Sequence, residues 1–145
     1  MACQNGHYEV VKLLLDRGID VRSNDGETLC IASQEGHTHI VKLLLEYGAD
    51  VHAQEDRSII NASQEGHDEV VRLLLEHGAN INAQTDKPIL AATKEGHTEV
   101  VKVLLEYGAN INTQSSSIIK MASQRGDLEI VRLALQYNAD IRVED

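Results

Sequence analysis

The chain has 145 residues, of which 42% are hydrophobic and only 3% aromatic, and its formal net charge at pH 7 is −10. With no Trp or Phe, its core must be built from aliphatic side chains. The negative charge opposes binding to nucleic acid and to anionic membranes, because both require basic residues that displace counterions, and we therefore predict neither as a partner.

The two cysteines, Cys3 and Cys30, fall at different places in the repeat described below, so they predict no disulfide framework and no metal pattern. The longest apolar run is far shorter than a membrane span, and the first residues do not resemble a signal peptide. These features favour an intracellular, cytoplasmic protein without metal or cofactor.

A period of thirty residues runs through the whole chain and predicts a stack of small units that contact only their neighbours. We expect five units, at about 1–22, 23–52, 53–82, 83–112 and 113–145, with the first beginning partway through a helix. Two series of residues mark the period: Gly6, Gly36, Gly66, Gly96 and Gly126, and then Gly18, Gly48, Gly78, Gly108 and Asn138.

In the first unit, residues 8–15 form one predicted helix, because Val10, Val11 and Leu13 to Leu15 cover a single broad side of it. Gly18 is expected to end this helix, since the residue after a helix often adopts the left-handed conformation that glycine tolerates. The same pattern predicts the longer helix of each later unit.

Each unit is then joined to the next by a variable connector, at 21–28, 51–58, 81–88 and 111–118. The piece that leads into a connector, such as 49–53, is predicted to be extended. Asn24-Asp25-Gly26 is a strong turn signal, whereas Ser115 to Ser117 indicates only flexibility. Pro88 fits the first turn of a helix, where its missing N–H would be unpaired in any case.

A shorter helix follows each connector, at 29–35, 59–65, 89–95 and 119–125. Each carries an alanine in the same register, which allows neighbouring helices to approach closely: Ala32, Ala62, Ala92 and Ala122. Each unit is therefore predicted to be a short helix, a turn at the first glycine, a longer helix and a connector.

Residues 95–112 resemble the second half of an ankyrin repeat, and the same motif recurs along the chain. Their sequence is Glu-Gly-His-Thr-Glu-Val-Val-Lys-Val-Leu-Leu-Glu-Tyr-Gly-Ala-Asn-Ile-Asn. The resemblance implies an all-α solenoid of five stacked helix-turn-helix units with a concave face. It also implies a non-enzymatic scaffold that binds a protein partner.

The sequence departs from the family pattern at two points. Its period is three residues shorter than the usual 33, which predicts short loops in place of hairpin fingers. The usual Thr-Pro-Leu-His is eroded, as in Arg57-Ser-Ile-Ile60 and Lys87-Pro-Ile-Leu90, so apolar packing by Ile60 and Leu90 is expected to replace its hydrogen bonds. The short period is similar to arrays in giant DNA viruses and some intracellular bacteria, which would place the protein in a host cytoplasm.

The histidines of the repeat, His7, His37, His67 and His97, look like a metal-binding ladder. Neighbouring units stack about 10 Å apart, too far for shared coordination at about 2 Å, so we interpret these rings as partly buried groups that bond to backbone. His37 and His39 could supply two ligands, but no third accompanies them. No nucleophile and base converge, so no enzymatic activity is predicted.

In the family that this chain resembles, partners contact the connector tips, the ends of the short helices and the residue before the second glycine. The resemblance therefore implies a partner-binding set on the concave face: Gln34, Glu35, Tyr47, Gln54, Asp56, Arg57, Gln64, Glu65, His77, Thr85, Asp86, Lys94, Glu95, Tyr107, Gln124, Arg125 and Tyr137.

Within this set, Tyr47, His77, Tyr107 and Tyr137 would form one ladder along the stack. Two interpretations stay open: the tyrosines supply an interface, to which their rigid rings are suited, or they simply cover the adjacent helix ends. The acidic balance predicts a partner whose surface is neutral to basic. An architectural spacer within a longer array is the alternative function, and the chain is expected to be monomeric or to associate weakly end to end.

Overall fold

The computed structural model describes residues 2–112 and 118–137, which form nine α-helices and no strand. The predicted all-α fold is confirmed, while the number and bounds of the units stay predictions. Asn138 and the segment Ser115 to Ser117 lie outside the described residues. The helices are α1 (Tyr8–Asp16), α2 (Glu27–Gln34), α3 (Thr38–Glu46), α4 (Ala53–Glu65), α5 (Asp68–Glu76), α6 (Ala83–Glu95), α7 (Thr98–Glu106), α8 (Ile118–Arg125) and α9 (Leu128–Gln136).

The helices pack in two rows. A tight turn joins each helix that follows a connector to the next helix, and the two pack together as a helical hairpin, as α2 does with α3 and α8 with α9. Helices of one kind also contact the next of the same kind. We call α2, α4, α6 and α8 the inner row, and α1, α3, α5, α7 and α9 the outer row.

The core is aliphatic and follows the thirty-residue register. The alanine of each inner helix is completely buried, which confirms the expected close approach: Ala32, Ala62, Ala92 and Ala122. In the outer row, Leu44, Leu74 and Leu104 share a register and are at most 1% exposed, whereas Leu14 in the same register is 41% exposed because α1 has no described neighbour on that side. Burial therefore depends on stacking between units.

The two connectors that lead into α4 and α6 are tight turns rather than fingers. Gln54, Glu55 and Asp56 all have left-handed backbone conformations, with φ of 53°, 58° and 59°, and Gln84 to Asp86 repeat this arrangement. The regular part of α6 begins after them, so Pro88 occupies its first turn as predicted. The expected extended piece at 49–53 was wrong: residues 51 and 52 form a turn and residue 53 begins α4.

A side-chain amide links each of these connectors to the one before it. The Nε2 atom of Gln54 donates to the carbonyl oxygen of Asp25 at 3.2 Å, and Nε2 of Gln84 donates to that of Glu55 at 3.3 Å. An L-residue in a left-handed conformation costs about 1–2 kcal/mol, and these bonds offset part of that cost.

Three buried hydroxyl groups in one register, those of Ser33, Ser63 and Thr93, have no hydrogen-bond partner. Because an unpaired buried hydroxyl is costly and alanine favours helix, Ser63→Ala is expected to raise the free energy of unfolding by about 1 kcal/mol. Ser123→Ala is the matched control: Ser123 has the same register but is exposed, so only helix propensity contributes, about 0.5 kcal/mol. Urea unfolding of both variants would measure the difference, and a loss of stability in Ser63→Ala would contradict the reasoning.

Candidate partner-binding surface

Histidine rings fasten successive units together at the turn between inner and outer helices. The Nε2 atom of His37 lies 3.0 Å from the carbonyl oxygen of Gln4, in the preceding unit. His67 and His97 repeat this bond at 2.9 Å to the carbonyl oxygens of Gln34 and Gln64. These three rings are partly buried, so the interpretation of the histidines as structural groups that bond to backbone is confirmed for them.

Each of these rings also lies directly over the glycine of the preceding unit. A Cβ atom added to Gly66, whose φ is +83°, would come within 2.6 Å of Nδ1 of His97. Glycine in this register therefore has two roles: it ends the inner helix in a left-handed conformation, and it leaves room for the ring of the next unit. We call the combination of ring, preceding glycine and preceding carbonyl an inter-unit joint.

The last joint is built from different residues. Asp127 stands where the other units have histidine, and the Arg125 guanidinium lies over Gly96 instead. Its Nη1 and Nη2 atoms donate to the carbonyl oxygens of Lys94 and Glu95 at 2.7 and 3.2 Å, while Nε donates to the Asp127 carboxylate at 2.7 Å. Sequence reasoning placed Arg125 in the partner-binding set, but its guanidinium fastens two units together. The sequence signal for this exchange was that Glu95 and His97 of one unit are both replaced in the next, by Arg125 and Asp127.

The predicted partner-binding residues do not form a single patch. The Gln/Glu pairs end the inner helices and so lie beside the turns, whereas Tyr47, His77, Tyr107 and Tyr137 directly follow the ends of the outer helices, beside the connectors. Because the two helices of a unit run antiparallel, these groups lie at opposite ends of the hairpin. A nine-residue helix is about 13 Å long, which sets the separation.

Two residues of the predicted set are buried and therefore cannot present a surface to a partner. Asp56 is 9% exposed, and its Oδ1 atom accepts a hydrogen bond from the backbone N–H of Asn80 at 2.9 Å and lies 2.9 Å from Nδ1 of His52. Asp86 is 8% exposed and accepts from Nδ2 of Asn110 at 3.5 Å. Their inclusion was wrong, because both carboxylates bind the next connector.

The tyrosine ladder contacts neighbouring outer helices. The Tyr47 hydroxyl donates to the carboxylate of Asp16 at the end of α1, and this hydrogen bond raises the pKa of Tyr47. The Arg72 guanidinium lies 6.0 Å from the centre of the Tyr107 ring and also pairs with Glu106 at 3.5 Å. Covering of an adjacent helix end is therefore observed for Tyr47, whereas the Tyr107 ring lies against Arg72 in the middle of α5. Both stay partly accessible, so an interface role stays a prediction.

A shallow groove runs along the inner row between α4, α6 and α8. Its volume is about 310 Å³. Leu90, Ala91 and Met121 form a partly exposed apolar floor that sequence reasoning did not include in the partner-binding set. The available signal was the register of Ile31, Asn61, Ala91 and Met121, which varies in mid-helix although the alanine register that follows it is constant. The lining residues are Gln64, Lys87, Leu90, Ala91, Lys94, Glu95 and Met121.

The described residues contain no cluster of three or more His, Cys, Asp or Glu side chains that could hold a metal ion. Burial raises the pKa of the Cys30 thiol, and the bond between its sulfur and the Ser58 hydroxyl at 3.4 Å offsets part of that shift. Burial likewise raises the pKa of Cys3. A thiol with a raised pKa is a weaker nucleophile at neutral pH, since the thiolate is the reactive form.

The two rows of stacked hairpins define a helical repeat solenoid. A family model described as ankyrin repeats (3 copies) matches residues 1–56 and 59–145, and the chain therefore belongs to the ankyrin repeat family. Members of this family generally serve as protein–protein interaction modules and are typically not enzymes. A comparison with curated proteins gives no significant match. Among the described residues, no helix is both long and apolar enough to cross a membrane.

Proposed function

We propose that this protein is a non-enzymatic scaffold that holds a protein partner against the concave face lined by its inner row. The groove between α4, α6 and α8 is the observation that carries the proposal. It exposes apolar side chains at the centre of a polar rim, which is the usual arrangement of residues in an interface. The predicted residues Gln64, Lys94 and Glu95 belong to that rim.

Lysines at both ends of the groove are available to a partner. Lys87 and Lys94 are exposed, and neither forms an ion pair with a described residue, although Nζ of Lys87 donates to Oε1 of Gln84 at 3.1 Å. An apolar side chain of the partner would lie on Leu90 and Met121, and partner carboxylates or carbonyl oxygens would reach the lysines. This pattern suits an extended or helical segment that lies along α6.

Charge acts on the partner at two distances. Over more than a few ångströms, the net charge of −10 favours the approach of a partner whose surface is neutral to basic. At the groove itself, the local lysines favour a polar or acidic contact. Because the long-range term is screened by salt, the association rate is expected to fall as ionic strength rises from about 0.05 to about 0.5 M.

The connector end of the hairpins offers a second contact area. Tyr47, Tyr107 and Tyr137 are each between about one third and one half exposed and carry a large rigid ring. A partner that contacts both the groove and these rings must span about 13 Å, the length of an outer helix. A folded domain or a long peptide can do so, whereas a short motif can reach only one of the two areas.

A pull-down with three forms of the protein tests the proposal. The double variant Ala91→Glu/Met121→Glu blocks the floor of the groove, and the control Lys12→Gln/Lys102→Gln changes the net charge equally on the exposed outer row. We expect a partner held by the wild type and the control to be lost, by at least about tenfold, from the groove variant, because binding would bury two unpaired carboxylates against apolar groups of the partner.

A triple Tyr47→Ala/Tyr107→Ala/Tyr137→Ala variant tests the second area in the same assay. If wild type, groove variant and tyrosine variant all retain the same proteins, or none at all, the scaffold proposal fails and the architectural spacer is supported. Far-UV circular dichroism of each variant would confirm that the helices are intact, so that loss of binding is not loss of fold.

A further inference from the structure

One face of α6 carries two lysines with an apolar centre between them. The regular part of this helix begins after Asp86, and it brings four residues of the groove to the same side: Lys87, Leu90, Ala91 and Lys94. Residues three, four and seven positions after a given residue lie on its side of a helix. Because seven residues rise by about 10 Å, the two lysines bracket the apolar centre at that distance.

Met121 extends the apolar centre from α6 onto α8. It shares its register with Asn61 and Ala91, and all three are partly exposed. Since α4 and α6 have neighbouring inner helices on both sides, this exposure belongs to the accessible side of the row and does not depend on where the row ends. Towards α2 the apolar strip stops at α4, where Nδ2 of Asn61 donates to Oε1 of Gln34 at 3.4 Å.

The groove is positively charged although the chain as a whole is acidic. Lys87 and Lys94 are exposed, and neither pairs with a carboxylate of a described residue. Glu95 is the only acidic side chain among the described residues that line the groove, so the lining has a net charge of +1 in a chain of −10. Beside Glu95, Nη2 of Arg125 donates to its carbonyl oxygen at 3.2 Å, while Nε of Arg125 pairs with Asp127. At contact range the groove therefore favours an acidic ligand.

The floor of the groove offers a partner no backbone hydrogen bonds. Leu90, Ala91 and Met121 lie within helices, whose backbone groups bond along the helix, and the described part of the chain has no strand whose edge could pair with an extended segment. An extended segment would leave its own N–H and C=O groups unpaired on that side, whereas a helix pairs them internally. A helical segment therefore fits this floor best.

We propose that the groove selects an acidic amphipathic helix in which two carboxylates, seven residues apart, bracket a leucine-like apolar centre. The apolar side chains contact Ala91 and Met121, and each carboxylate pairs with one of the two lysines. Seven residues of the partner helix rise by the same distance of about 10 Å as those of α6, so both ion pairs form together. The inference rests on the proposed scaffold function and adds the chemistry of the bound segment. The rest of the partner keeps the neutral to basic surface that the net charge favours.

Fluorescence anisotropy with dye-labelled peptides tests the proposal. The acidic peptide is an alanine-rich helix of about 20 residues, long enough to be helical alone, with two Glu residues seven apart and Leu three and four positions after the first. One matched peptide has Lys in place of both Glu residues. Another has the second Glu moved two positions closer, which keeps the composition but turns that carboxylate to a different side of the helix.

The wild type is expected to bind the acidic peptide about tenfold more tightly than the Lys peptide, because two exposed ion pairs are replaced by two repulsive contacts. The shifted peptide should lie between them, about threefold weaker than the acidic one, since it retains one ion pair. These comparisons use the unaltered protein, so they do not depend on the folding of any variant.

Protein variants locate the contact. Lys87→Glu/Lys94→Glu should reverse the preference, so that the Lys peptide binds more tightly than the acidic one. The control Lys12→Glu/Lys102→Glu makes the same change of net charge on the exposed outer row and should keep the wild-type preference. Glu95→Gln should strengthen binding of the acidic peptide about twofold, because it removes the one repulsive group of the lining.

Three results would overturn the inference: no binding of the acidic peptide by the wild type at about 1 mM, equal binding of all three peptides, or an acidic preference that persists in Lys87→Glu/Lys94→Glu. If Ala91→Glu/Met121→Glu still loses its partner in the pull-down, the scaffold function stands and only the acidic helix is wrong. Selective peptide binding without any partner lost in the pull-down would support the acidic helix and contradict the scaffold function.

Discussion

Replacing Leu74 with alanine is expected to lower the free energy of unfolding by about 3 kcal/mol. Leu74 is 0% exposed and lies at the centre of the outer row, where α5 packs between α3 and α7. Removing its branched end deletes apolar contacts and leaves a cavity that the surrounding helices fill only in part, and such substitutions cost about 2–5 kcal/mol. Contacts between neighbouring units alone hold a stack together. The lost stability therefore weakens the contacts of α5 with α3 and α7, which couple the two halves of the stack.

Leu14→Ala is the matched control for this prediction. Leu14 has the same register and the same side chain but is 41% exposed, so its truncation should cost less than about 1 kcal/mol. Urea unfolding followed by circular dichroism measures both changes. Equal losses in the two variants would show that stacking does not determine burial in this register. A broader transition in Leu74→Ala than in the wild type would indicate that the halves unfold separately.

Gly66→Ala is expected to lower the free energy of unfolding by about 3 kcal/mol, although it adds only one methyl group. About half of the loss is backbone strain, because a φ of +83° costs an L-residue about 1–2 kcal/mol. The rest comes from displacement of the His97 ring, which lies 2.6 Å from the new Cβ position and would lose its bond to the Gln64 carbonyl.

Gly78→Ala separates these two contributions. Gly78 has a φ of +89° and no atom within 4 Å of its Cβ position, so alanine there carries the strain alone, about 1.5 kcal/mol. In a His97→Ala background, Gly66→Ala should then cost no more than Gly78→Ala does. Thermal or urea unfolding of the four variants completes the cycle, and an unchanged cost of Gly66→Ala without the ring would refute the joint as its cause.

The helices could be predicted from the sequence because their determinants are local and repeated. The spacing of Val10, Val11 and Leu13 gave the outer helix, Gly18 and its equivalents gave its end, and the alanine register gave the close inner row. Each signal recurs in most units, which made chance agreement improbable. The resemblance to ankyrin repeats supplied what periodicity alone does not, the lateral stacking of hairpins into a solenoid.

The connectors and the site were harder to predict, for physical reasons. Three successive left-handed residues such as Gln54 to Asp56 oppose intrinsic preference, and they depend on bonds to neighbouring units that a single stretch of sequence does not show. The burial of Asp56 and Asp86 follows from the same bonds. The alignment of Gly26 with Asp56 and Asp86 was the one local hint, since glycine and aspartate both tolerate this conformation.

The groove was missed because it is a property of three helices together. Leu90 and Ala91 are partly exposed on α6 and Met121 is partly exposed on α8, about thirty residues later, and only stacking brings α6 beside α8. The exchange at Arg125 and Asp127 was likewise visible in the sequence as a departure from the repeat. Its structural role could be recognised only once the structure placed the Arg125 guanidinium over Gly96 of the preceding unit. A residue that departs from the repeat can thus indicate a contact with a partner, or it can belong to a pair of substitutions that preserves a contact between units.

The inter-unit joint also constrains how the gene for this protein can change in length. The ring in each joint belongs to one unit, and its glycine and carbonyl belong to the unit before it, with equivalent positions thirty residues apart. Deleting or duplicating one whole period brings a ring over another equivalent glycine, whereas a change of one or two residues within a helix shifts every later ring away from its glycine. Recombination between equivalent positions of two units can therefore add or remove whole thirty-residue units while the contacts between rings and glycines are preserved.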